Sequence, residues 1–450
     1  MIKISEYDLI IFGAGTSGLP TARLAGMRKD KKILLLDDGP LGGKCVNTGC
    51  TPSKALVYCI KLYKEALKSR DFGTKIESIK IDFNSVLNYA KKIVATSLKQ
   101  NETRIYNFEN IELKRVRGKF INESEIEAGG ETFSAPAILI ATGTTPFIPP
   151  IKGIENISYL TNENVFNLDE LPKSIGLIGG GFISCEFASI FNSLGSNVTI
   201  FEFAPTLIPR ADKSIIQALE QYFKEDGIQI LTNTAVNSVA QENDVIQVET
   251  KDGDLYEVEK LMVNTGFKPN TKELNLLSAK VETTPRGYVK VNEYLQTSNE
   301  KVWAIGDVVG KQQFTHMALR ESKAVVSNIF DNARISLSFE NIPYAVFTDP
   351  PIGSVGKTEQ ELQDSGIKYK TAETELPMSS RGFIMGLKRG IIKLFHNDKK
   401  IFGCHIIGEE ADTLIHEIVP LVNMINGMQI FRTIIHAHPA LPEVFNNLQS

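Results

Sequence analysis

Short apolar runs, separated by glycine-rich turns and amphipathic stretches, set the pattern along the chain. Tyr7 to Phe12 reads as a strand. Gly13-Ala14-Gly15-Thr16-Ser17-Gly18 follows at once, then a helix-compatible stretch from Leu19 to Arg28, then a second strand from Lys32 to Leu36 that Asp37 closes. Strands this apolar, with no polar alternation, suit burial on both faces, as in a parallel sheet with helical crossovers. Pro20 belongs in the first turn of its helix, where its missing N–H costs nothing.

The same order returns 166 residues later, from Gly13 to Gly179. Ile175 to Ile178 is the strand, Gly179-Gly180-Gly181-Phe182-Ile183-Ser184 the turn, Cys185 to Leu194 the helix and Asn197 to Phe201 the next strand, closed by Glu202. From first glycine to acid the interval is 24 residues in one copy and 23 in the other. Between the copies helix and strand mix, and Pro146, Pro149 and Pro150 mark a border. Further borders fall at Gly266 to Asn270 and at Asn341 to Pro343. Beyond the last, Gly390 to Phe395 and Ile401 to Ile407 read as strands, and Leu414 to Ile425 as a helix despite Pro420.

Each turn has the chemistry of a dinucleotide site. Gly13 permits the tight turn, Gly15 lets the backbone approach a pyrophosphate, and Gly18 allows close packing of helix on strand. The helix N-terminus then offers free N–H groups and a positive dipole end to the phosphates. Asp37 is placed to accept from a ribose 2′-hydroxyl. In the second copy Gly179 and Gly181 stand in register, and Ser184, still small, takes the third position. Glu202 favours the free 2′-hydroxyl of NAD and repels the 2′-phosphate of NADP. Arg210 is close enough in sequence to reach a phosphate, so NADP is the lesser expectation. Two dinucleotide sites in one chain most simply pass electrons from one cofactor to the other.

Composition narrows the class. The 450 residues are 42% hydrophobic and 23% charged, an ordinary globular balance. The net charge of −4 argues against a nucleic-acid binder or a polybasic membrane binder. No apolar run reaches the roughly 20 residues of a spanning helix, and Met1 to Asp8 has no apolar core of leader-peptide length. A cytoplasmic protein is expected. Five cysteines are too sparse for a disulfide scaffold.

Two of those cysteines, Cys45 and Cys50, lie just after the first unit. In an ideal helix residues five apart have Cα atoms roughly 8–9 Å apart, beyond disulfide reach. A bridge between them requires a distorted turn, which Gly49 can supply. Such a bridge is catalytic rather than structural in a reducing compartment. The alternative is two ordinary cysteines. A metal site is not expected, because no second Cys/His pair accompanies them. Cys59, Cys185 and Cys404 read as packed small hydrophobes.

The segment Gly42-Gly43-Lys44-Cys45-Val46-Asn47-Thr48-Gly49-Cys50-Thr51-Pro52-Ser53-Lys54-Ala55-Leu56 resembles the redox-disulfide segment of the flavin-dependent pyridine nucleotide–disulfide oxidoreductases. That family includes dihydrolipoamide dehydrogenase, glutathione reductase and mercuric reductase. The resemblance extends over nearly the whole chain. Ala141-Thr142-Gly143 resembles its second FAD contact, Thr265-Gly266 with Pro269-Asn270 the end of its NAD domain, and Ala304-Ile305-Gly306-Asp307 the segment meeting the ribityl chain. Val346-Phe347-Thr348-Asp349-Pro350 resembles the opening of its dimerisation domain, and His436-Ala437-His438-Pro439 with Glu443 its acid–base element.

The resemblance implies an α/β fold with two Rossmann-like dinucleotide-binding domains and a C-terminal α+β dimerisation domain. It implies an FAD domain over 1–148, an NAD domain over 149–270, a second FAD or central segment over 271–340 and the dimerisation domain over 341–450. It implies FAD and NAD as cofactors, with hydride passing from NADH to flavin and on to a Cys45–Cys50 disulfide. Cys50 becomes the charge-transfer thiolate and Cys45 the exchanging thiol. Lys54 lies by the flavin and pairs with Glu186. His438, oriented by Glu443, takes the thiol proton of the other subunit of a homodimer. The other histidines are expected to be packing or surface residues, with His316 in a segment that resembles a flavin-adjacent one.

Phe267, Pro351, Ala440 and Pro442 depart from the lipoamide pattern, and Tyr159-Leu160-Thr161-Asn162 resembles a mercuric-reductase-like branch. Phe445 to Ser450 carries no vicinal cysteine pair, so mercury reduction is not expected. Oxidation of dihydrolipoamide, free or on a lipoyl domain, stands first. Reduction of another small disulfide or a small oxidant by NAD(P)H is the alternative.

Overall fold

The structure, a computed structural model, describes residues 4–448. Met1 to Lys3 of the leader reading, and Gln449 and Ser450 of the C-terminal reading, lie outside them. The first sheet is parallel throughout, in the order Val302–Ala304, Ala137–Ile140, Leu9–Phe12, Ile33–Leu36, Ile111–Lys114. Leu9 and Ile11 point into one core and Ile10 and Phe12 into another, and all four are buried. Burying each such side chain contributes roughly 1.5–3 kcal/mol, so this strand has no polar face. The crossover helix is Gly18–Gly26, and Pro20 sits in its first turn.

The second copy repeats this in four parallel strands ordered Gln229–Leu231, Asn197–Phe201, Ser174–Ile178, Lys260–Val263. Its crossover helix, Phe182–Leu194, starts three residues before the expected Cys185. Phe267–Pro269 pairs antiparallel with Thr144–Pro146, so the chain leaves the first sheet and returns from the second side by side. Beyond residue 340, five antiparallel strands run in the order Tyr344–Val346, Ile352–Gly356, Ile401–Ile407, Ile391–His396, Lys370–Glu375. The expected helix Leu414–Ile425 is shorter, Ala411–Ile418. It stops before Pro420, which has no N–H for a further turn. The result is a mixed α/β fold of two parallel dinucleotide-type sheets and a C-terminal antiparallel sheet with helices.

One core cluster joins the three parts. Ala55, Leu56 and Ile60 of the helix Cys50–Lys68 pack with Phe187 and Phe191 of the second crossover helix and with Val346, Ile352 and Ile407 of the C-terminal sheet. The helix that carries Cys50 and Lys54 is thereby fixed against the second parallel sheet's crossover helix and the C-terminal antiparallel sheet. Among the described residues no helix is long and apolar enough to cross a membrane.

Candidate active site

The two glycine turns are built alike. Gly13 has φ +98°, and a β-carbon on Gly18 would fall 1.8 Å from the Gly13 carbonyl oxygen. Only glycine fits at either position. The closing acids repeat as well, in a way the spacing did not reveal. Asp37 accepts from the backbone N–H of Ala14 at 2.5 Å and of Gly39 at 2.6 Å. Glu202 accepts from the N–H of Gly180 and, at 2.6 Å, of Ala204. Each acid braces its own turn with part of its acceptor capacity; Asp37 also lines the groove, where the rest of that capacity is open to a ribose, whereas Glu202 is buried. Burial raises the pKa of Asp37 against the lowering effect of these two N–H groups.

A continuous groove of about 2660 Å³ runs between the sheets. It brings together Gly13, Gly15, Asp37, Cys45, Cys50, Lys54, Thr142, Gly143, Gly181, Glu186, Gly266 and Asp307. Gly18, Gly179 and Gly306 stand behind this wall. Glu202 does too, whereas Arg210 lines the groove. Nothing lies within 4 Å of the position a β-carbon on Gly181 would take, so that turn is an open cradle. The turns and the groove between them fit two dinucleotides, one at each turn. Among the described residues no cluster of three or more His, Cys, Asp or Glu forms a metal site.

Cys45 and Cys50 face each other across a break in the helix. A short helix, Gly43–Asn47, ends at Thr48, and the next begins at Cys50. A β-carbon on Gly49 would lie 3.0 Å from the Lys44 carbonyl oxygen, so a larger residue there would press the turn open by a few tenths of an ångström. Both residues are free thiols, hydrogen-bonded to each other. The Thr315 hydroxyl donates to Cys45 Sγ at 3.2 Å. The Cys50 thiol is lowered to about 6, first by the hydrogen bond from Cys45 and then, against desolvation, by the Lys54 cation. The Cys45 thiol is pushed up, first by that same bond and then by burial. The two shifts run in opposite directions, so Cys50 is the sulfur favoured as thiolate.

The expected pair of Lys54 with Glu186 forms at 2.6 Å. Lys54 Nζ also lies 4.7 Å over the Phe347 ring, and the Phe347 N–H donates to Glu186 at 3.1 Å. One carboxylate therefore fixes both the lysine and the entrance to the C-terminal sheet. Lys54→Met is expected to raise the thiolate midpoint of Cys50 by about 1 pH unit. Glu186→Gln removes an opposing negative charge and shifts it the other way. Thiolate absorbance of the reduced protein against pH reads both.

His438 and Glu443 pair as expected, Nδ1 lying 2.9 and 3.0 Å from the two carboxylate oxygens. The structure does not bring them to the sulfurs. The His438 side chain is 66% exposed, and neither residue lines the groove of its own chain. His316 does line the groove, stacked on Phe314 at 5.3 Å. Glu321 went unforeseen. It is buried, accepts from the Gly306 N–H at 2.6 Å, and burial pushes its pKa up to about 7.

Comparison with known proteins agrees with this geometry. The family profile described as pyridine nucleotide-disulphide oxidoreductase matches residues 7–322, and that of its dimerisation domain matches residues 342–449. The chain is similar to a mercuric reductase of Lysinibacillus sphaericus, with 31% identity over 92% of this chain and 77% of the other. It is similar to a dihydrolipoyl dehydrogenase of Chlamydia muridarum, with 29% identity over 98% and 95%. Among solved structures, the HOCl-induced flavoprotein disulfide reductase RclA from Escherichia coli superposes with a TM-score of 0.90, at 27% identity over 98% of this chain and 99% of that one.

Proposed function

As this chain belongs to the pyridine nucleotide–disulphide oxidoreductase family, we propose that it is an FAD-dependent, NAD-linked enzyme that moves electron pairs between the nicotinamide and a Cys45–Cys50 redox pair. The observation that carries this is that Cys45, Cys50 and the Lys54–Glu186 ion pair line one groove together with both glycine turns. When bound, flavin supplies a two-electron relay between nicotinamide and sulfur.

The chain's own residues do the rest. Gly13, Gly15 and Asp37 take the flavin nucleotide, with Thr142, Gly143, Gly306 and Asp307 along the remainder of its length. Gly179, Gly181, Glu202 and Gly266 belong to the nicotinamide nucleotide's domain. Cys50 supplies the thiolate in the groove, and Cys45 exchanges with the substrate disulfide. Lys54, held by Glu186, offers positive charge where electrons accumulate. His438, polarised by Glu443, takes the thiol proton across a homodimer interface. The C-terminal unit leaves Met378, Phe383, Ile384, Ile425 and Ile435 exposed, which supports that interface. In this reading 1–148 and 271–340 form the flavin part, 149–270 the NAD part and 341–450 the dimerisation part.

Dihydrolipoamide is the first substrate in this reading. The second is another disulfide or small oxidant, favoured by Phe267, Pro351, Ala440 and Pro442. Steady-state assays of NAD reduction by dihydrolipoamide, run beside NADH-driven reduction of other disulfides, decide between them. If NADH reduces no flavin under anaerobic conditions, the oxidoreductase reading fails. NADH is expected to be preferred to NADPH by about tenfold in kcat/KM, from the Glu202 carboxylate. Arg210→Ala should lower what NADPH use remains and leave NADH use unchanged. A preference for NADPH would place Arg210, not Glu202, as the deciding residue.

A further inference from the structure

Lys44 is a half-buried cation that the proposed electron path does not use. Its backbone neighbours clamp it to the first glycine turn. The Gly42 N–H donates to the Ala14 carbonyl at 2.8 Å. The position of a β-carbon on Gly43 lies 2.7 Å from Gly15 Cα, so the two strands of backbone touch at the point where a pyrophosphate needs open space. Lys44 lines the same groove wall as Gly13, Gly15 and Asp307.

Its ammonium is aimed rather than free. Nζ donates to the Thr144 carbonyl and forms an ion pair with Glu163. Both partners come from segments more than ninety residues along the chain, and both line the same groove. An ammonium has three donors, so one remains. Burial lowers the pKa of Lys44, opposed by the attraction of Glu163 and Asp307. Burial also raises that of Asp307, with Lys44 as its counterweight. The groove therefore carries two half-buried acids, Asp37 and Asp307, and must still admit a ligand that brings two more negative charges.

We propose that Lys44 is the counter-cation for the pyrophosphate of the flavin nucleotide, held at the phosphate turn by Glu163 and the Thr144 carbonyl. This rests on the flavin reading above. It adds a side-chain charge to a site otherwise made of glycine backbone and a helix N-terminus. Glu163 and Thr144 act as positioning groups.

Equilibrium binding, without turnover, tests it. Nucleotide-stripped protein is titrated with FAD, and quenching of flavin fluorescence gives the dissociation constant. Lys44→Met is expected to weaken FAD binding about tenfold or more, and Lys44→Arg by less than about threefold. Glu163→Gln, whose amide oxygen can still accept from the lysine while the competing negative charge is gone, should bind FAD as tightly as the unaltered protein or more tightly. Raising the salt should weaken binding to the unaltered protein and to Glu163→Gln, with a shallower dependence for Lys44→Met. The salt series on the unaltered protein stands even if a variant folds poorly. The inference is overturned if Lys44→Met binds FAD normally, or if Glu163→Gln loses as much as Lys44→Met, which would make the two a structural ion pair only. If the unaltered protein takes up no FAD, it is the flavin reading that falls.

Discussion

Cys50→Ser is expected to lower NADH-driven disulfide reduction on the order of 10⁴-fold, because it removes a member of a unit that acts only as a whole. The flavin should remain bound, and NADH should still bleach it, since the nucleotide turns are untouched. The long-wavelength absorbance of the two-electron-reduced protein, which needs a thiolate against the flavin, should be missing. In the unaltered protein that band is expected to fade as pH falls through about 6, where Cys50 takes up its proton. Its stability above that pH comes chiefly from the Cys45 thiol and then from Lys54. Cys45→Ser should behave differently. A serine hydroxyl still donates to Cys50, so the thiolate and its band persist while exchange with substrate stops. Anaerobic spectra of the two variants separate the roles. A Cys50→Ser protein that turns over within tenfold of the unaltered one would show that the sulfurs are not the electron path.

Local pattern carried the fold further than it carried the site. Strands such as Leu9–Phe12 and Ile33–Leu36 were legible because a parallel sheet buries both faces and leaves no polar position to confuse the reading. The Leu414–Ile425 stretch misled for the opposite reason, since apolar residues continue past the point where Pro420 ends the hydrogen-bond ladder. Within the site, the two closing acids looked equivalent by spacing. The structure separates them, with Asp37 facing the groove and Glu202 beneath its wall. Thr315, whose hydroxyl meets Cys45, lay in a segment noted only for His316, and Glu163, which holds Lys44, had no local signature. Each is an ordinary residue made chemical by a partner more than a hundred positions away. Lys54 and Glu186 are equally distant, and they were legible only through the resemblance of their flanking segments.

His438→Asn is expected to lower disulfide turnover by about 10²–10⁴-fold, the range for loss of a general acid–base group, while NADH still reduces the flavin at the unaltered rate. The reason lies in what one chain does not contain. His438 is oriented by Glu443, yet it is exposed and absent from the groove that holds Cys45 and Cys50. If a second copy brings its own His438 to this groove, the defect can be repaired in trans. Cys50→Ser and His438→Asn homodimers should each be inactive. After the two are dissociated, mixed and reassociated, half of the dimers are hybrids. Each hybrid has one site with an intact sulfur pair from one chain and an intact histidine from the other, so about a quarter of the unaltered activity should return. Recovery at that level fixes the site as shared. No recovery from hybrids confirmed by mass would place the acid–base group elsewhere in the same chain, and His316, already beside Thr315 in the groove, would then be the residue to replace.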